Sequence, residues 1–123
     1  FKIIRVFYRK DKIRSLKTKI KKYSIKKDMG WCDDPRSEKY NKLVKLPFNF
    51  SAEKLFRDDD LYDIVCVINY NTEPVQAGKG SAIFLHVASK DFVGTQGCIA
   101  LKKDDLYEIT SKIDNATTIE IKS

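Results

Sequence analysis

A mainly β fold with one or two short helices is predicted for this chain of 123 residues, on three observations. Apolar, β-branched or aromatic runs of strand length recur along it, turn formers separate them, and only two short stretches carry a helical signal. A chain of this length supports one compact domain, so residues 1–123 are read as a single unit.

Phe1 to Tyr8 is rich in aromatic and β-branched residues and reads as a strand. The lysine-rich stretch after it is irregular, with Ile13, Leu16, Ile20 and Ile25 as isolated apolar anchors. Gly30 to Pro35 reads as a turn, and Pro47 breaks the chain after Leu43-Val44-Lys45-Leu46. Ser51 offers an N-cap to a short helix through Ala52 to Phe56. The nearly continuous apolar run from Leu61 to Asn69 predicts a central strand. Turn formers including Pro74, Gly78 and Gly80 follow, and Ser81 to Ala88 predicts a second buried strand. A polar loop with Gly94 leads to a brief strand, Ile99 to Leu101. Leu106, Ile109 and Ile113 at helical spacing place an amphipathic helix from Asp104 to Ile113, with acids at its start and Lys112 near its end to suit the dipole. The alternation in Thr117 to Lys122 predicts a closing strand.

At 42% hydrophobic and 33% charged, the chain is neither disordered nor fibrous. No run approaches the roughly 18 apolar residues that a membrane span requires. No leader segment is visible, but the chain opens on Phe1 rather than Met, so the natural N-terminus is expected to lie upstream. The net charge of +7 is concentrated by Lys17, Lys19, Lys21, Lys22, Lys26 and Lys27, just after Lys10, Lys12 and Arg14. Such a segment is either a solvated surface or an attractor of anionic polymers. It carries no aromatic pattern of a nucleic-acid module, and nucleic acid is not expected as a partner.

Three cysteines, Cys32, Cys66 and Cys98, show neither a CxxC pair nor zinc-ligand spacing. Cys66 lies inside an apolar run and reads as a small buried residue, whereas Cys32 sits in Gly30-Trp31-Cys32-Asp33-Asp34-Pro35. Cys98 follows Gly97, which removes a side chain and lets a substrate approach the sulfur. Amides in a tight turn around such a nucleophile can converge as an oxyanion hole. The only histidine, His86, stands twelve positions upstream near the end of a strand, within reach of a returning loop. A thiol nucleophile needs a base of this kind. On the pair alone, a satisfied core or surface histidine and an incidental Gly-Cys are the more common reading. A metal site would need more ligands than these two, and none is expected.

Ser81-Ala82-Ile83-Phe84-Leu85-His86-Val87-Ala88, followed by Thr95-Gln96-Gly97-Cys98-Ile99-Ala100-Leu101, resembles the catalytic motif of the L,D-transpeptidase (YkuD-like) family. That family has a histidine, a loop and a Ser/Thr-His-Gly-Cys turn, on a β-sandwich-like domain of mixed sheets. The segments from Gly30 to Pro35 and from Arg57 to Asp63 look like a branch of small bacterial members, so the resemblance runs from Phe1 to about Ile113. It implies Cys98 as acyl-accepting nucleophile, His86 as proton donor and acceptor, and Thr95, Gln96 and Gly97 in the substrate-binding and oxyanion turn. Two departures bear on substrate contacts: Gln96 stands where most members have a second histidine, and Ala100 where many have an arginine. The loop between His86 and Cys98 is also shorter than usual, and strands usual before Phe1 are expected to be missing, leaving a sheet edge exposed.

The implied activity is cross-linking of peptidoglycan stem peptides through a Cys98 thioester in the bacterial cell envelope, without metal or organic cofactor. Hydrolysis of the same thioester by water and a non-catalytic basic wall-binding module are the alternatives.

Overall fold

The computed structural model describes residues 1–88 and 99–120. Among them the order of elements is β1 (Ile3–Tyr8), β2 (Lys22–Ser24), β3 (Met29–Cys32), β4 (Leu43–Lys45), β5 (Ala52–Lys54), β6 (Ile64–Ile68), β7 (Phe84–Val87), β8 (Ile99–Leu101) and α1 (Lys103–Lys112). A five-stranded mixed sheet runs in the order β2-β1-β6-β7-β8, and a three-stranded antiparallel sheet in the order β4-β3-β5. In the larger sheet β6 lies antiparallel to both its neighbours, β1 and β7, while β2 and β8 each lie parallel to their partners. The predicted mainly β class is the observed one.

Strand periodicity explains the core. Every residue of β6 is buried, because both faces of its sheet are covered and an unbroken apolar run is then the stable pattern. Ile64, Cys66 and Ile68 point into one cluster, with Val6 and with Leu85 and Val87 of β7. Leu106 and Ile113 of the helical segment cover that side, together with Ile13, Leu16 and Ile20, the anchors predicted from the lysine-rich stretch. Val65 and Val67 point to the other side, where an aromatic cluster fills the space between the two sheets. Trp31 of β3 is its centre, set edge-on to Phe84 at 5.2 Å and to Phe7 at 6.4 Å.

Two polar anchors hold these layers in register. Asn41, buried and in the left-handed region at φ 58°, uses its whole side-chain amide. Its Oδ1 accepts from Trp31 Nε1 (2.9 Å) and Ala82 N (3.2 Å), and its Nδ2 donates to the carbonyls of Tyr70 (3.2 Å) and Asn71 (2.7 Å). The smaller sheet is thereby fastened to the connection between β6 and β7. At the opposite end of β6, the fully buried Asp63 carboxylate meets Lys12 and Lys103, each at 2.9 Å. One carboxylate thus joins the turn after β1, the start of β6 and the first turn of α1.

Three expectations are corrected. Gly30 to Cys32 is strand rather than turn, and the turn begins at Pro35. A Cβ at Gly30 would stand 2.8 Å from Leu46 Cδ2, so a larger residue there would have to displace the end of that side chain. Ala52 to Phe56 is not a helix: Ala52–Lys54 pairs with Gly30 to Cys32 as β5. Five residues are too few to repay helix nucleation, so the available sheet edge decides. Ser51 caps nothing and instead bonds Asp33 through Oγ (2.7 Å) and Asp34 through its amide (3.2 Å). Of the predicted closing strand, Thr118 makes one bridge with Lys2, and residues 121–123 lie outside the described residues.

Replacing Asn41 by Ala should destabilise the protein by about 2–4 kcal/mol in urea unfolding, because it leaves the Trp31 indole N–H and two carbonyls without partners. Asp63→Asn should cost about 3 kcal/mol, near the low end for a broken buried pair because both lysines are part-exposed. A third expectation concerns pH. Arg36, through its side chain and then its amide, holds the Asp34 carboxyl well below its ordinary value of 3.8. A depressed folded value adds stability above the unfolded one and loses it as pH falls. The melting-temperature advantage of wild type over Asp34→Asn should therefore be full at neutral pH and shrink as pH drops below about 4.

Candidate active site

His86 is nearly inaccessible, at 1% exposure, in the middle of β7. Leu85 and Val87 on either side point toward the α1 face, so alternation turns His86, like Phe84, to the aromatic side. Its ring stands edge-on to Tyr62, with centroids 5.5 Å apart and planes at 77°. Nδ1 lies 2.8 Å from the carbonyl oxygen of Val87. A carbonyl can only accept, so Nδ1 carries the hydrogen and, in the neutral ring, Nε2 carries the lone pair. That is the tautomer a general base acting through Nε2 needs.

The neighbouring strands frame this ring. His86 is paired with Val65 of β6 on one side and with Ala100 of β8 on the other. β8 begins at Ile99, opposite Leu85. Thr95, Gln96, Gly97 and Cys98, the other expected site residues, lie outside the described residues.

Outward from His86 stands a polar layer that periodicity had not indicated. Tyr62 is buried and its hydroxyl donates to Glu53 Oε1 on β5. The Arg57 guanidinium lies over the Tyr62 ring, 5.4 Å from its centroid, and is paired through Nε (2.9 Å) and Nη2 (2.6 Å) with Asp59. That pairing raises Arg57 and lowers Asp59 from their ordinary values, the hydrogen bonds being the main cause in each. An open cleft of about 500 Å³, lined by Lys54, Phe56, Arg57, Asp58 and Asp59, adjoins this layer. The signal for Tyr62 in the sequence was its place two residues before the apolar run of β6; its contact with His86 depends on β6 and β7 pairing. Nothing local marks Glu53, whose position follows from β5 joining β3.

The two described cysteines have structural surroundings. Burial pushes the Cys66 thiol up to about 12, which removes it as a nucleophile near neutrality. Cys32 is buried, its sulfur 3.9 Å from the carbonyl of Asp34. Asp34 accepts from Arg36 N, Nε and Nη2 and from Ser51 N, and Asp33 accepts from Ser51 Oγ. Cys32-Asp33-Asp34 therefore shapes the turn that follows β3. No group of three metal-ligating side chains occurs among the described residues, and no helix among them is long and apolar enough to cross a membrane.

Compared with known families, the chain matches YkuD, the L,D-transpeptidase catalytic domain, over residues 1–121. No curated protein and no solved structure matches it. The matched span contains β7 with its histidine, the segment ending in Cys98, and all the strands described above. The chain belongs to the YkuD family, the L,D-transpeptidase catalytic domain.

Proposed function

We propose that this protein is a peptidoglycan L,D-transpeptidase that works through a Cys98 thioester, with His86 moving the protons. The observation that carries this reading is the Nδ1 bond to the Val87 carbonyl, which presents Nε2 as the base in a chain of this enzyme family. The strand register adds support. Ile99, joined by one peptide bond to Cys98, pairs with Leu85, the residue before His86. A single covalent link therefore tethers the thiol-bearing residue to the strand beside the histidine.

In the proposed sequence, Nε2 of His86 takes the Cys98 thiol proton as sulfur attacks the carbonyl of an L-to-D amide bond in a stem peptide. The amides of Gly97 and Cys98 stabilise the oxyanion, with Thr95 and Gln96 beside the substrate. The carbon–nitrogen bond breaks, and the imidazolium gives its proton to the departing amine of the terminal D-residue. An amine of a neighbouring stem then attacks the thioester. His86 takes its proton and returns one to sulfur as the carbon–sulfur bond breaks, leaving a new amide. No cofactor enters this scheme. Ala100, half-buried beside His86, has no side chain with which to hold a substrate carboxylate, so anion recognition falls to other residues. The proposed place of action is the bacterial cell envelope, on a single domain spanning residues 1–123.

The test is mass spectrometry of the protein after incubation with a tetrapeptide stem. Wild type should gain an acyl adduct that Cys98→Ala lacks, and His86→Gln should form it roughly 10²–10⁴ times more slowly. A folded wild type that forms no adduct would overturn the reading. With an amine acceptor added, cross-linked peptide should exceed free acid; the reverse ratio would make the enzyme a hydrolase.

A further inference from the structure

The imidazole of His86 is held at two places, one on its own strand and one by a residue outside it. The first is the Nδ1 bond to the Val87 carbonyl (2.8 Å). One hydrogen bond fixes a single ring atom and leaves the ring free to swing about it, so it does not by itself set where Nε2 points. The plane is set by the Tyr62 ring, which stands edge-on to the imidazole with centroids 5.5 Å apart and planes at 77°. Tyr62 is also edge-on to Phe84, at 5.8 Å and 79°. Phe84 and His86 lie two residues apart on one face of β7, and one tyrosine ring spans both.

Tyr62 is more constrained than core filling requires. It is 4% exposed, and a phenylalanine would fill the same space without a polar atom to satisfy. Its hydroxyl donates to Glu53 of β5, a residue paired with Trp31 in the smaller sheet. Its face carries the Arg57 guanidinium, 5.4 Å from the ring centroid. Arg57 is itself gripped by Asp59 through bonds of 2.9 and 2.6 Å. The ring is thus fixed at its tip by Glu53 and on its face by Arg57. None of these side-chain contacts is needed to pair the strands.

We propose that Tyr62 is a positioning residue: its anchored ring keeps the His86 imidazole where Nδ1–H meets the Val87 carbonyl and the Nε2 lone pair is left for the thiol. The inference rests on the reading of His86 as the base. Both proton transfers of the proposed cycle pass through Nε2, so the ring must keep one orientation while it gains and loses a proton. A ring turned over about its Cβ–Cγ bond would put carbon–hydrogen groups at both positions. The carbonyl would then no longer hold the Nδ1 proton, and the tautomer would lose its selector. The tautomer of the imidazole therefore reports its orientation.

His86 is the only histidine of the chain, so nitrogen-15 NMR of the imidazole in the full chain gives one unambiguous pair of signals. At about pH 8, where an ordinary imidazole is neutral, wild type should show the Nδ1-protonated tautomer in about tenfold excess or more. Tyr62→Leu keeps the site apolar but removes the flat ring, and should bring the two tautomers to within about threefold of each other. Tyr62→Phe should retain the wild-type pattern. Acylation of Cys98 at saturating tetrapeptide should fall about a hundredfold in Tyr62→Leu and about threefold in Tyr62→Phe, with the half-saturating concentration unchanged in both. Phe7→Leu is the control for lost packing, since Phe7 belongs to the same aromatic cluster and stands edge-on to Trp31. It should lower the melting temperature and leave the tautomer intact. Should Tyr62→Leu fail to fold, the double variant Tyr62→Phe with Arg57→Gln keeps the buried ring, removes both anchors and should show a partial mixture. The proposal is overturned by a wild type protonated on Nε2, by an unchanged pattern in Tyr62→Leu or, where that variant is unfolded, in the double variant, or by an equal change in Phe7→Leu. The tautomer measurement needs neither Cys98 nor a substrate, so its failure and that of the thioester reading are told apart.

Discussion

The buried carboxylate of Asp63 constrains more of this molecule than any other single group. A charge with no exposure is tolerable only when paired, and removing a partner from a buried pair costs several kcal/mol. Its two lysines come from far apart in the chain, one from the turn after β1 and one from the start of α1. The three segments must therefore assemble together. Because Asp63 directly precedes β6, and β6 sets β7 by direct pairing, the position of His86 is inherited from this ion cluster. The same turn leans on the polar layer outside the histidine: Arg9 donates to the carbonyl of Arg57 (2.6 Å) and lies over Phe56.

Asn41 plays the corresponding part at the other end of the sheet. A polar side chain buried among aromatic residues is stable only if all its hydrogen-bonding capacity is met. Meeting it ties Trp31 to the segment that leads into β7. The two sheets are held by edge-on aromatic contacts, and Asn41 adds hydrogen bonds that fix where they meet. Candidate chemistry thus sits between two fixed points, with a saturated amide above it and a paired carboxylate below. A base that must keep one tautomer benefits from such a frame, because a rotation of the imidazole would break the Nδ1 bond.

The arrangement also separates functions across the sheet. Bulk aromatic packing and the histidine occupy one side, and the helix with the anchors Ile13, Leu16 and Ile20 the other. The exposed lysines contribute little to stability, since an exposed cation without a partner gains almost nothing from folding. Their concentration is better understood as a surface property than as a fold requirement.

Composition and pattern were enough for the parts of this protein whose structure follows from burial. β1, β6 and β7 are apolar runs that have nowhere to go but a sheet interior, the short apolar β8 takes the edge beside them, and α1 shows its period through Leu106, Ile109 and Ile113. The anchors Ile13, Leu16, Ile20 and Ile25 were visible for the same reason. β2, β3 and β5 were not visible, because three or four largely polar or mixed residues become strand only where a neighbouring edge offers hydrogen bonds. The same division runs through the site. One histidine in an apolar run, with a Gly-Cys twelve residues on, could be picked out from the chain and matched to a family. The tautomer of that histidine, the edge-on Tyr62 and the Glu53 behind it come from residues brought together across strands. Burial is written residue by residue along a chain, whereas a hydrogen bond between distant side chains exists only once the sheets have closed.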